Sequence, residues 1–253
     1  MIGVFDSGIG GLTVVREIRR VLKNIDIIYF GDTARLPYGN KSKSMIIQAS
    51  RRIVEFLMDK GAGLIVIACH SASSNALPVL EKEFKIPIIG VIKPSVEDAI
   101  AVTKNRKVGV IGTVATIESK SYFNELKKRK IEVYQKSCPL FVPLVEEGLT
   151  DGFITEEIAK RYLNPLKKKG IDTLILGCTH YPLLKDVISK IMKNVYLIDP
   201  AKSVAEEVKK MIDDKGNRKL KVYLSDKPRR LKEIAKRFLG FEIKKIEIID
   251  LTI

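Results

Sequence analysis

Short runs of Ile, Val and Leu alternate with longer amphipathic stretches along the whole chain, and that alternation leaves few folds open. Strand-like runs lie at 2–5, 26–30, 64–68, 86–92, 107–111, 131–134, 173–176, 195–198, 220–224 and 243–249. Several are apolar throughout rather than every second residue, as in strands covered on both faces. Strands separated by helix-length segments pair in parallel, each crossover being a helix laid over the sheet. The helical period is clearest over 42–60, where Ile46, Ile47, Ile53, Val54, Leu57 and Met58 are expected to face a sheet. Lys93-Pro94 interrupts the run before it, and a fresh pattern of helix, strand and loop begins there. The expectation is an α/β protein of two similar domains, each with a mainly parallel sheet flanked by helices. The first takes residues 1–93 plus 206–253, the second 94–205.

With 253 residues, 45% of them apolar, the chain can bury a sizeable core and is not of the disordered type. Cys69, Cys138 and Cys178 are too few, too scattered and odd in number for a disulfide framework, which points to a reducing, cytoplasmic setting. The opening Met1-Ile2-Gly3-Val4-Phe5-Asp6 has no basic or apolar leader, and the longest apolar runs are strand-sized, so neither a signal peptide nor a membrane span is expected. A net charge of +15 invites a nucleic-acid reading. The basic clusters at 127–130, 167–169 and 227–230 lie at the ends of apparent helices, and no aromatic residues are interleaved with them as a base-stacking surface requires. They are read as solvated surface, and no nucleic-acid partner is expected.

Two segments echo each other. The run 64–68 ends in Cys69-His70-Ser71, and the run 173–176 continues into Gly177-Cys178-Thr179-His180. Each is a buried strand with a cysteine at its carboxyl end, a hydroxyl residue within two positions, and then a helix. Open α/β sheets bind ligands at the carboxyl ends of their strands, so two such halves facing each other bring both cysteines to one cleft. A lone free cysteine is more often an inert core residue; a matched pair in equivalent loops argues for chemistry. The first strand runs directly into Asp6-Ser7-Gly8-Ile9-Gly10-Gly11-Leu12-Thr13. Glycines there let backbone N–H groups approach an anion, but the segment matches neither the dinucleotide nor the Walker phosphate pattern. A tight turn explains the glycines and leaves Asp6 unexplained.

Together these segments resemble the aspartate/glutamate racemase superfamily, most closely the glutamate racemases. The resemblance rests on 6–13, on Gly31-Asp32-Thr33-Ala34-Arg35-Leu36-Pro37-Tyr38-Gly39, on the first cysteine loop, on 138–146 and on 176–183, and covers nearly the whole chain. One position departs: the family pattern Ala-Cys-Asn-Thr-Ala reads Ala68-Cys69-His70-Ser71-Ala72 here.

The resemblance implies cofactor-independent interconversion of L- and D-glutamate, supplying D-glutamate for peptidoglycan, with no metal. The chemistry agrees: inverting Cα without a cofactor needs one base on each face, and a free thiol titrating near ~8.5 must be helped toward either protonation state. By the match, Asp6 assists Cys69, while Glu146 and His180 assist Cys178, with Glu147 an adjacent alternative to Glu146. Ser7, Pro37, Tyr38, Gly39, His70, Ser71 and Thr179 are the implied substrate contacts, and an ionisable His70 would add an acid-side pH dependence. Cys138 is read as structural. A homodimer is compatible with the sequence. Alternatives are an aspartate or other amino-acid racemase of the same superfamily, a catalytically impaired homologue with a binding role, and a nucleotide- or DNA-binding module.

Overall fold

The apolar runs assemble into two separate parallel sheets, in a computed structural model that describes residues 1–228, 230–243 and 245–251. Arg229 of the third basic cluster, Lys244 of the last strand-like run and residues 252–253 of the first expected domain lie outside the described residues. The chain begins β1 (Ile2–Asp6), α1 (Leu12–Val21), β2 (Ile27–Gly31), α2 (Lys43–Asp59), β3 (Leu64–Ile67), α3 (His70–Asn75), α4 (Leu77–Glu83) and β4 (Ile88–Gly90). It continues through α5 (Ile92–Val102), β5 (Lys107–Gly112), α6 (Val114–Glu118), α7 (Ser121–Lys128), β6 (Glu132–Ser137), α8 (Phe141–Glu147), α9 (Gly152–Lys167) and β7 (Thr173–Gly177). The remainder is α10 (Lys185–Ile191), β8 (Tyr196–Ile198), α11 (Pro200–Met211), β9 (Leu220–Leu224), α12 (Leu231–Leu239) and β10 (Ile246–Ile248). Short 3-10 turns occupy Thr33–Arg35, Tyr38–Asn40 and Tyr181–Leu184.

The first sheet has the order β10-β9-β2-β1-β3-β4 and the second β6-β5-β7-β8, every pair parallel. β9 and β10 return from far along the chain to extend the first sheet beside β2. Side chains alternate across it: Val4, Tyr29 and Val66 enter one core, Phe5, Phe30 and Ile67 the other. Burial of both faces is why these strands read as unbroken apolar runs rather than as alternation. The first of those cores continues into the second sheet through Val108, Val110 and Leu174, and α11 ties the halves by packing on both α1 and α5.

Several local expectations needed adjustment: the 131–134 run extends as strand over Glu132–Ser137, and the 243–249 run is strand, among the described residues, only over Ile246–Ile248. Along α2 the buried stripe is Ile46, Ala49, Ser50, Ile53, Val54 and Leu57, whereas Ile47 is only partly covered and Met58 is exposed. Those two sit about 100° round the helix from Ile46 and Leu57, off the face that meets the sheet. The 86–92 run forms a strand only over Ile88–Gly90, because Ile92 already opens α5; Pro94 is tolerated in that helix's first turn, where an N–H has no helical partner anyway. Among the described residues no helix is long and apolar enough to cross a membrane, and all three cysteines are free and buried.

Candidate active site

Parallel strands deliver all their carboxyl ends to one side, and the loops leaving those ends carry the chemistry. Phe5 is level with Ile67, which places Asp6 and Cys69 on neighbouring strand exits; Gly112 is level with Gly177, which does the same for Thr113 and Cys178. The two halves meet closely enough that Gly10 admits no side chain: a Cβ there would sit 2.5 Å from Thr179 Oγ1 and 2.7 Å from the His180 ring.

On the first half, Asp6 is buried, and one carboxylate oxygen accepts hydrogen bonds from the N–H groups of Gly8 (3.2 Å) and Gly11 (3.1 Å). Its other oxygen, Oδ1, has no protein partner among the described residues. Burial raises the Asp6 pKa, opposed first by the charge of His180 and then by those N–H groups. Cys69 lies in the turn between β3 and α3. Burial, then the neighbouring Asp6 charge, push its thiol up to about 12, against the N–H groups of Ala72 and Ser7 and the Ser7 hydroxyl. At rest Cys69 holds its proton.

The second half is built differently. Cys178 Sγ lies 3.9 Å from His180 Nδ1, and the opposite ring nitrogen, Nε2, lies 3.1 Å from Glu146 Oε1. Burial alone would lower the imidazole, but Cys178 and Glu146 on its two sides outweigh it and push it up to about 10. A cationic imidazole thus sits beside the second cysteine, where a buried carboxyl group sits beside the first. Glu146 and Glu147 are separated by packing: Glu147 is 73% exposed and reaches Arg230 at 3.6 Å, while its neighbour turns inward to His180. The C-terminal helix α12 backs this group, with Phe238 edge-on to His180 at 5.0 Å and Arg237 donating to the carbonyl of Val145 at 2.8 Å.

Of the catalytic and substrate-contact residues that the resemblance implies, all but Glu146 line a single cavity of about 30 Å³; its alternative Glu147 does not line it either. That volume holds roughly one water molecule. Glu146 stands behind His180. Leu36, Thr113 and Val142 also line the cavity and were not anticipated. Thr113 had a signal, since it directly follows the 107–111 run and Gly112, the same position past a strand that Cys178 holds. Its hydroxyl shares a 3.0 Å hydrogen bond with Ser71 Oγ, joining the two halves. Cys138 stays outside the cavity, buried beside its own strand.

His70 lines the cavity, but not as the ionisable group expected there. It does not turn to solvent, being buried against Tyr122 with ring centroids 6.2 Å apart. Nor does it ionise in the ordinary range, because burial drives it down to about 3, and neither ring nitrogen has a protein partner among the described residues. An imidazole held neutral by burial does not supply the acid-side pH dependence expected of it. Larger surface depressions, such as one of about 540 Å³ between α5, α10 and β8, contain none of the candidate residues. Among the described residues no group of three or more His, Cys, Asp and Glu is placed to hold a metal ion.

Comparison with known proteins fits this geometry. The family model for Asp/Glu/Hydantoin racemases matches residues 2–208. A glutamate racemase of Persephonella marina is 51% identical over 98% of this chain and 97% of its own. The crystal structure of glutamate racemase from Francisella tularensis in complex with D-glutamate superposes with a TM-score of 0.92 at 41% identity, covering 99% of this chain and 97% of that one. A glutamate racemase isoform of Bacillus anthracis superposes at 0.95 with 39% identity, covering 99% and 97%.

Proposed function

Since the chain belongs to the Asp/Glu/hydantoin racemase family and is an amino-acid racemase, we propose that it interconverts L- and D-glutamate by two-base proton transfer, with Cys69 on one face of Cα and Cys178 on the other. The observation that carries the reading is the opposed electrostatics of the two thiols. Cys69 is buried beside a carboxylate and retains its proton, so it is the acid. Cys178 lies beside an imidazole held positive, so it is the base. In one direction Cys178 sulfur takes the Cα proton, the C–H electron pair flows into the α-carboxylate, and the Cys69 S–H delivers a proton to the opposite face. The reverse direction exchanges the roles, Asp6 and the His180–Glu146 pair resetting the protons. Hydroxyls of Ser7, Ser71 and Thr179, with the backbone of 37–39, hold the carboxylates without placing a competing acid at Cα.

Glutamate is larger than the 30 Å³ cavity, so entry requires the strand ends of the two halves to move apart. We take 1–93 with 206–253 as one half and 94–205 as the other, because the strands divide between the sheets in that way, with α5 and α11 crossing the two divisions. Three buried free thiols suit the cytoplasm, where D-glutamate is needed for peptidoglycan. The relatives' names favour glutamate over aspartate. The test is to follow optical rotation of L-glutamate and, separately, L-aspartate in chelator and a carbonyl trap. Turnover of glutamate alone supports the proposal; preference for aspartate, or loss of activity in chelator or trap, overturns it.

A further inference from the structure

Asp32 is a buried carboxylate that the proton-transfer scheme does not use, yet three donors converge on it. The phenol of Tyr38 donates to Oδ2 at 2.5 Å; Arg35 Nη1 and Ser225 Oγ each donate to Oδ1 at 2.8 Å. Ser225 lies just past the end of β9, so this cluster joins the 33–40 loop to a strand about 190 residues away. The join is reinforced on both sides. Ser225 Oγ also accepts from the N–H of Ala34 at 2.8 Å, and Arg35 Nη2 donates to the carbonyl of Leu251 at 2.8 Å. The Asp32 N–H in turn donates to the carbonyl of Asp6 at 3.0 Å.

The consequence falls on the turn that lines the cavity. Tyr38 is wholly buried and its hydroxyl is committed to Asp32, so the Asp32 contact fixes a residue that lines the cavity. Pro37, Tyr38 and Gly39 all line the cavity, and they are the stretch that the glutamate reading above takes as a substrate contact. The turn also abuts the other half of the site: a Cβ on Gly39 would lie 2.9 Å from Thr113 Cβ. A small displacement of the turn therefore changes the cavity wall and its fit against the other half.

The geometry points to Asp32 as a positioning residue that sets glutamate affinity, acting through Tyr38 to hold the 37–39 turn against the end of β9. The inference rests on the glutamate reading above. Its test is steady-state kinetics, by optical rotation, of Asp32→Asn, Tyr38→Phe and the double variant, with Ser225→Ala as a milder probe that keeps all charges. Losing one such hydrogen bond should raise KM for L-glutamate about 5- to 20-fold, with kcat falling less than about threefold. The double variant should be no worse than the more severe single one, because both act through one contact. Amide hydrogen exchange over 33–41 should quicken about tenfold in each single variant while that of 64–76 is unchanged. Effects on KM that multiply in the double variant, a fall in kcat with KM unchanged, or unaltered exchange over 33–41 would each overturn the assignment. If Asp32→Asn fails to fold, Tyr38→Phe and Ser225→Ala decide the question by the same readouts. A parent protein that does not racemise glutamate sinks the functional reading instead, and the exchange measurement still decides whether Asp32 holds the turn.

Discussion

Replacing Glu146 with Gln changes one charge and almost no shape, which makes it the sharpest probe of the His180 relay. The carboxylate accepts from His180 Nε2 at 3.1 Å, and the imidazole is buried while the carboxylate is 33% exposed. Two unit charges about 4 Å apart at an effective dielectric constant near 20 attract by about 4 kcal/mol. Partial exposure of Glu146 and the neutral hydrogen bond that Gln can retain reduce the expected loss to about 1.5–3 kcal/mol. That is about one to two pH units in the imidazole and about 10- to 100-fold in kcat/KM. The sign follows from a raised cation: His180, pushed up to about 10, is charged through neutral pH in the parent, and the alkaline limb of activity falls as pH passes that value. In Glu146→Gln the limb moves down. The stability contributed by the His180 contacts is complete below about pH 6.5 and lost as pH rises through about 10, so the gap in Tm between parent and variant should shrink over that window. Enantiomers have equal free energy, so kcat/KM must stay equal in both directions and cannot by itself show which step slowed. A Cα-deuterium isotope effect can, and it should grow in the direction where Cys178 is the base. Optical rotation from both enantiomers and their Cα-deuterated forms across pH 6 to 11, with a thermal melt at each pH, gives all these quantities. An alkaline limb that does not move, with unchanged isotope effects, refutes the relay. Glu147→Gln is the control, since that side chain faces solvent and should leave the profile alone.

Cys69→Ala and Cys178→Ala should each cut racemisation by about 10²- to 10⁴-fold or more in a rotation assay, since each removes a proton-transfer group. Near-normal turnover in either would end the two-base scheme. Cys138→Ala should keep parental rates and lose about 1 kcal/mol in a denaturant melt. His70→Asn should leave the pH–rate profile between 5 and 8 unshifted, because burial already holds the imidazole neutral down to about 3; an acid limb that moves would show that His70 ionises in the working range. Gly10→Ala places a Cβ 2.5 Å from Thr179 Oγ1, so the halves cannot close as they do here, and kcat/KM should fall about 100-fold. A parental rate in that variant would mean that this closed approach is not needed for turnover.

The strands were legible in the sequence because burial of both sheet faces leaves long apolar runs, and the parallel pairing followed from the helix-length segments between them. The convergence of Asp6, Cys69 and Cys178 was legible for a related reason. Each sits at or just past the carboxyl end of a strand, and parallel strands send those ends to one side, so position along the chain already implied position in space. Where neighbours in sequence diverge in space, the chain alone was silent. Glu146 and Glu147 are equivalent in sequence, but consecutive helical residues point about 100° apart, and only the packing of α8 against the Tyr181–Leu184 turn selects which one meets His180. The neutral state of His70 depends on its burial, with the Tyr122 ring from a distant part of the chain packed against it, and the order of residues 68–72 contains neither. Asp32 gave no sign of importance beyond its place in a motif, because its partner Ser225 comes from the far end of the chain. The periodicity of a sequence fixes which face each residue presents within its own strand or helix, since that geometry spans a few residues. Which distant faces then meet is decided by how whole elements pack, and here that packing sets the charge on each side of the cleft.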